Sequence, residues 1–266
     1  MTSDPESVAE ARAQREIELL GHDTVLVRSV LTQLGRAHPF DTPTADLGTY
    51  YEVTWELWNK LVDHNRAVAV LLVSDLFNSA IVVHRAAYEI LVNLGYLMTQ
   101  GDKVRNALLH RARSLLEVAE QFASQPSGPS AAAVLPRMPQ DVVKEARRHQ
   151  ARRQPWAGIS LTRMATAIGV VGHGWFYAIS SWEAHGRVTG YGVTKTPVEG
   201  HSDLHRVDFI SREPAPHREA LANHARRHLH KGYQLVARDW FGTVPALATA
   251  DPFAANKEAL GDGPAP

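Results

Sequence analysis

Between Asp75 and Met98 the chain reads DLFNSAIVVHRAAYEILVNLGYLM, and after Asp75 its only formal charges are Arg85 and Glu89. A helix that is apolar on nearly every side belongs in the middle of other helices, because no face of it is content in water. This stretch therefore predicts an all-α fold, a single-domain antiparallel helical bundle with this helix at its centre. Arg85, Glu89 and Asn93 follow one another at i, i+4 and i+8, with Tyr96 on the same side, so the polar atoms form one seam. An unpaired buried charge costs several kcal/mol, so Arg85 and Glu89 must find partners. The seam has two readings, an internal ion pair that locks helix register or the polar wall of a ligand pocket.

The flanking sequence supports the helical class. Asp4 and Pro5 suit the start of a helix that Gly21 ends, and Asp23 and Gly35 bracket a second. After a Pro-containing loop, helices are expected over Thr49 to Val73, Asp75 to Met98 and Lys103 to Ala123. Residues 125–139 are rich in Pro, Gly and Ser and read as a flexible loop. Shorter helices follow near Gln140 to Arg153, Ser160 to Ile168 and Trp175 to Ala184. Residues 187–214 form an irregular insert with room for a short β-hairpin between TGYGV and RVDFI. A last helix spans His217 to Trp240. The bundle thus occupies residues 1–240, and residues 241–266 read as a tail.

Charge and residue usage narrow the function classes. Lys plus Arg and Asp plus Glu number 28 each, so no global field draws the chain to nucleic acid or an anionic membrane. With no cysteine, thiolate chemistry, disulfides and Cys-ligated zinc are excluded. The longest apolar run, AVAVLLV, falls far short of the ~20 residues that span a bilayer. The opening MTSDPESVAE is acidic and polar, unlike a secretory leader. A cytoplasmic protein with no membrane partner is expected.

Four blocks, HRAAYEILVNLGYLM, RNALLHRARSLLEVAEQ, PWAGISLTRMATAIG and YAISSWEAHG, occur in an order that resembles the DUF5677 family of uncharacterised bacterial helical proteins. The resemblance covers roughly Val73 to Gly186. It implies an all-helical fold and matches at Arg85, Glu89, Asn93, Trp156, Ser160, Arg163, Ser181, His185 and Gly186, and it brings no established reaction. The chain departs from the family in its His-rich last helix, its glycine-rich insert and its tail, where any activity of its own is expected.

Several shorter patterns carry chemistry. RNALLH also resembles the signature of HEPN ribonucleases, which implies Arg105 and His110 as catalytic, Asn106 as supporting and RNA as substrate. Five residues on a helix are about 140° apart, so such a site needs a homodimer. Tyr177, Ser181 and His185 are spaced by four, which sets a hydroxyl near an imidazole, although no strained GxSxG elbow surrounds the serine. His185 before Gly186 equally suits a helix end. His217, His224 and His228, at offsets of 7 and 11, fall on one stripe within about 40° and suit a transition metal. No HExxH or Glu-x-x-His pair accompanies them, and HARRHLHK equally reads as a solvated basic face. Lys144 to Trp156 is strongly basic with one tryptophan, a pattern that holds phosphate or, more simply, meets solvent. GVVGHGW lacks the preceding strand of a phosphate loop.

The leading expectation is a ligand-binding protein. A small or anionic ligand, or a partner, would sit at Arg85, Glu89, Asn93, Arg163, Ser181 and His185, between helices where bundles build sites. Arg85 and Arg163 would neutralise it, Glu89 and Asn93 orient it, and His185 exchange a proton. The alternatives are the metal-independent ribonuclease and a metal-dependent enzyme. No cofactor follows from the sequence beyond that transition metal.

Overall fold

The computed structural model describes residues 4–37, 45–123, 140–148, 157–170, 193–197, 205–209 and 214–247. Helix dominates them, and the fold class is all-α. The elements are α1 (Pro5–Ala37), α2 (Ala45–Val73), α3 (Phe77–Thr99), a 3-10 turn (Gly101–Lys103), α4 (Val104–Ala123), α5 (Gln140–Arg148), α6 (Leu161–Ala167), β1 (Val193–Pro197), β2 (His205–Phe209) and α7 (Ala215–Phe241). Strand β1 pairs antiparallel with β2, Val193 opposite Phe209 and Pro197 opposite His205. Strand β1 includes the last residue of TGYGV, Val193, and with Thr194 and Thr196 is rich in β-branched residues. No helix among the described residues is long and apolar enough to cross a membrane.

Two helices expected before residue 37 are one. Helix α1 runs straight through Gly21, because Ala13, Ile17, Leu20, Val27 and Leu31 make a continuous buried stripe on both sides of it. A mid-helix glycine costs only about 1 kcal/mol, less than burying any one of the larger apolar side chains returns.

Helices α1, α2, α3 and α7 pack on one another around two apolar clusters. One holds Ile17 and Leu20 of α1, Val68 and Leu72 of α2, Phe77 and Ile81 of α3, and Leu221 and Ala225 of α7. The other holds Val27 and Leu31, Trp58 and Leu61, Tyr88, Leu91 and Leu94, Met164 of α6 and Ile168 just past its end, and Leu229 and Val236. Ascending from the first cluster to the second, residue numbers rise along α1, α3 and α7 and fall along α2. Helix α7 therefore runs parallel to α1 and α3 and antiparallel to α2, so these helices do not all alternate in direction.

The turn between α2 and α3 is tight. Asp75 adopts a positive φ of 57°, and Leu76 N–H donates to Leu71 O at 2.8 Å. Aspartate tolerates this left-handed conformation better than most residues.

Candidate functional site

The seam on α3 lies at the edge of the core. Arg85 Nε donates to Glu89 Oε1 at 3.1 Å, and Asn93 Nδ2 donates to Glu89 O at 2.7 Å. The Arg85 and Glu89 side chains keep 20% and 39% of their exposure, so the pair is not sequestered as the apolar character of the helix suggests. The reason is angular. Ala80, His84, Ala87, Tyr88 and Leu91 define the buried face, and the two charges fall on its flank. The fully buried polar group of this helix is His84.

Arg163 is exposed on α6, whose first turn is capped by Ser160: the Arg163 amide donates to Ser160 Oγ. Ser181 and His185, with Tyr177, Trp156 and Gly186, lie outside the described residues, as do the helix expected at 175–184 and the loop at 125–139.

Arg105 and His110 are both exposed on α4. The Arg105 guanidinium donates to Asp141 Oδ2 at 3.2 Å and Glu145 Oε2 at 2.6 Å, which ties α4 to α5. The basic segment beyond Lys144 is helical only to Arg148 among the described residues.

The three histidines expected to form a metal stripe, His217, His224 and His228, do not converge. Among the described residues no group of three or more His, Asp or Glu side chains is placed to hold a metal ion. A shared angle is insufficient: seven residues of helix separate His217 from His224 by about 10 Å along the axis, whereas imidazole ligands sit about 2 Å from their metal. His217 is exposed and His228 is buried, its ring stacked on His84 with centroids 4.8 Å apart and planes at 14°. Tyr88 and His224 flank the His228 ring at 5.3 and 6.3 Å.

Helix α7 has a second stripe, centred on the basic HARRHLHK segment. Asn223, Arg226, Arg227, His230, Lys231 and Gln234 line a groove of about 440 Å³, closed on one side by Gly169 and Val170. Their offsets of 3, 4, 7, 8 and 11 place all six on one face. The opposite wall is the end of α6. Gly169 adopts φ 72°, and Val170 N–H donates to Ala165 O at 2.9 Å, a Schellman-type stop that turns the chain against α7. Ile168 fixes this wall by packing into the notch at Gly95, where a Cβ would lie 2.7 Å from Ile168 Cδ1 and 3.0 Å from Leu235 Cδ1.

Helix α1 supplies the groove's foundation. Asp23, 2% exposed, accepts from Arg226 Nε at 2.7 Å and bonds His230 Nε2 at 2.7 Å. Arg226 also donates to Glu16 Oε2 at 3.1 Å. Burial pushes the Asp23 carboxyl up, but the hydrogen bonds from His230 and Arg226, with the charges of both, outweigh it and hold the group below the ordinary 3.8. Burial pushes the Arg226 guanidinium down, and Asp23 and then Glu16 more than restore it. The result is an anchored carboxylate beneath a cationic surface.

The helical framework and the order of its blocks agree with a comparison at the family level. The model of DUF5677, a family of unknown function, matches residues 51–194, more than half of the chain, and the chain belongs to that family. No curated protein and no solved structure matches it. The matched region includes the α6 wall at Gly169 and Val170, while α1 and the cationic face of α7 lie outside it.

Proposed function

We propose that this chain is a cytoplasmic helical-bundle protein that binds a small anionic ligand, and that the ligand sits in the α7 groove. The observation that carries this reading is the convergence of Arg226, Arg227, His230 and Lys231 on one cavity, with the amides of Asn223 and Gln234 at its ends. A volume of about 440 Å³ falls within the range of small-molecule sites. Arg227 and Lys231 make no ion pair among the described residues, so their charge is available to a ligand. The proposal keeps the interhelical anionic ligand expected from the sequence and moves it from the α3 seam to the junction of α1, α6 and α7. The α6 block that carries Arg163 also supplies the groove's wall.

Calorimetric titration of the full chain at low ionic strength, with a panel of inorganic and organic anions, tests the reading. Low salt matters because an open cationic site is screened. Saturable binding is expected, weakened about tenfold by Arg227→Gln and about tenfold again by Lys231→Gln, as the loss of a charge-assisted hydrogen bond worth roughly 1.5 kcal/mol dictates. Binding that ignores both substitutions, or none to any anion, would overturn it.

A further inference from the structure

We infer that the groove selects a terminal phosphoryl group, and that His230, positioned by Asp23, is the residue that distinguishes it from an equally charged sulfate. This inference rests on the anion-binding reading above and adds the chemical class of the ligand. Three observations lead to it.

The first is charge. Arg226 is matched by Asp23 and Glu16, whereas Arg227 and Lys231, one helical turn apart on the groove face, have no carboxylate partner among the described residues. Two uncompensated cations suit a group that carries up to two negative charges better than a single carboxylate.

The second is the orientation of the imidazole. His230 spends Nε2 on Asp23 Oδ2 at 2.7 Å, while Nδ1 has no hydrogen-bond partner among the described residues. An ionised Asp23 requires a proton on Nε2, so a neutral ring offers Nδ1 as an acceptor and a protonated ring offers it as a donor. The groups facing this pair are Glu16 and His22 of α1, with His22 Nδ1 3.6 Å from Asp23 Oδ1, and Arg226, Arg227 and Lys231 of α7.

The third is the proton inventory of the ligand. A phosphate monoester loses its second proton near pH 6, so around neutrality it holds either a P–OH or a full dianion. With one proton shared between ring and ligand, the contact is made in both arrangements: P–OH donates to neutral Nδ1, or Nδ1–H donates to the dianion. Sulfate has no proton to give, so it makes this contact only when the ring carries a proton of its own, whereas phosphate makes it with the ring in either state. A phosphodiester has neither the proton nor the second charge. The groove is also roomier than a bare tetrahedral anion requires, which leaves space for the organic part of a monoester.

Titrations of the full chain at pH 7 with phenyl phosphate, inorganic phosphate, sulfate and dimethyl phosphate decide the matter. Phenyl phosphate and inorganic phosphate are expected to bind at least about tenfold tighter than sulfate, the discrimination of one hydrogen bond, and dimethyl phosphate weakest. The tighter of the two phosphates identifies the source, an organic monoester or free phosphate, and either result supports the shared chemistry. His230→Gln keeps a donor for Asp23 and removes the Nδ1 position, so phosphate and sulfate should then bind alike through Arg227 and Lys231, with circular dichroism unchanged. Equal affinity for phosphate and sulfate in the unaltered protein overturns the inference while anion binding stands. Binding of none of the four removes both.

Discussion

At the scale of single residues, Asp23 links stability to the groove. It is 2% exposed and holds Arg226 and His230 across the α1 and α7 interface. Removing one partner of such a buried set leaves the others uncompensated, and Asp23→Ala is expected to cost about 3–5 kcal/mol in urea unfolding at pH 7. The pH dependence has a definite sign. The folded carboxyl sits below its unfolded value of 3.8, so its contribution is complete above that value and disappears as the pH falls through the lower, folded one. Unfolding free energies measured at stepped pH should therefore drop below about pH 4 in the native chain, with a shallower drop in Asp23→Asn. A parallel fall in both proteins would show that other carboxylates carry the acid transition. None of this was legible locally. Asp23 resembles the N-cap of a second helix, and its partners lie 203 and 207 residues further along the chain. A helical wheel of α7 shows cations on one face but not the carboxylate beneath them.

At the scale of elements, the glycines separate what a helix prefers from what its neighbours allow. At Gly21 a Cβ would meet nothing within 4 Å, so Gly21→Ala should stabilise α1 by about 1 kcal/mol through helix propensity alone. At Gly232 a Cβ would lie 2.3 Å from Leu61 Cδ2, 3.4 Å from Trp58 and 3.6 Å from Leu91. Leu61, Trp58 and Leu91 are fully buried, so Leu61 cannot swing aside without displacing the core. The crowding costs about 1–3 kcal/mol and outweighs the same propensity gain. Opposite shifts of the unfolding midpoint are expected for the two alanines. A stabilised Gly232→Ala would mean that α7 can move away from α2. Sequence alone treats both glycines as punctuation or weakness, since the neighbour that gives each its meaning comes from another helix. Helix α3 was easier to read: its apolar residues announce a central position without reference to any partner. Its charges were not, because a few tens of degrees around the axis decide between core and flank.

At the scale of the whole molecule, the helical class follows from local pattern, but the direction of α7 relative to α1 is a tertiary fact that no periodicity encodes. Its parallel course along α1 brings Glu10 to Arg218, Glu16 to Arg226 and Asp23 to His230 in ascending order, and so creates the groove. The same packing leaves stability unevenly spread. Helices α1, α2, α3 and α7 share the two main clusters, whereas among the described residues α4 and α5 bury Ala112, Leu116 and Ala146 in a small cluster of their own. Among the described residues α4 meets, beyond α5, only α2 and the preceding turn, and those lightly, and its Arg105 ion pairs are open to solvent. Exposed pairs of this kind contribute little. Amides of α4 and α5 are therefore expected to exchange with deuterium through a partial opening, well before those of α3 and α7, which should report global unfolding. Asp23→Ala should lower protection along α3 and α7 and leave the α4 and α5 rates near their native values, because the opening that exposes them does not break the α1 and α7 interface. Equal protection of α4 and α3 in the native chain, or a matching loss in both after the substitution, would instead require one cooperative unit that includes the α4 and α5 pair.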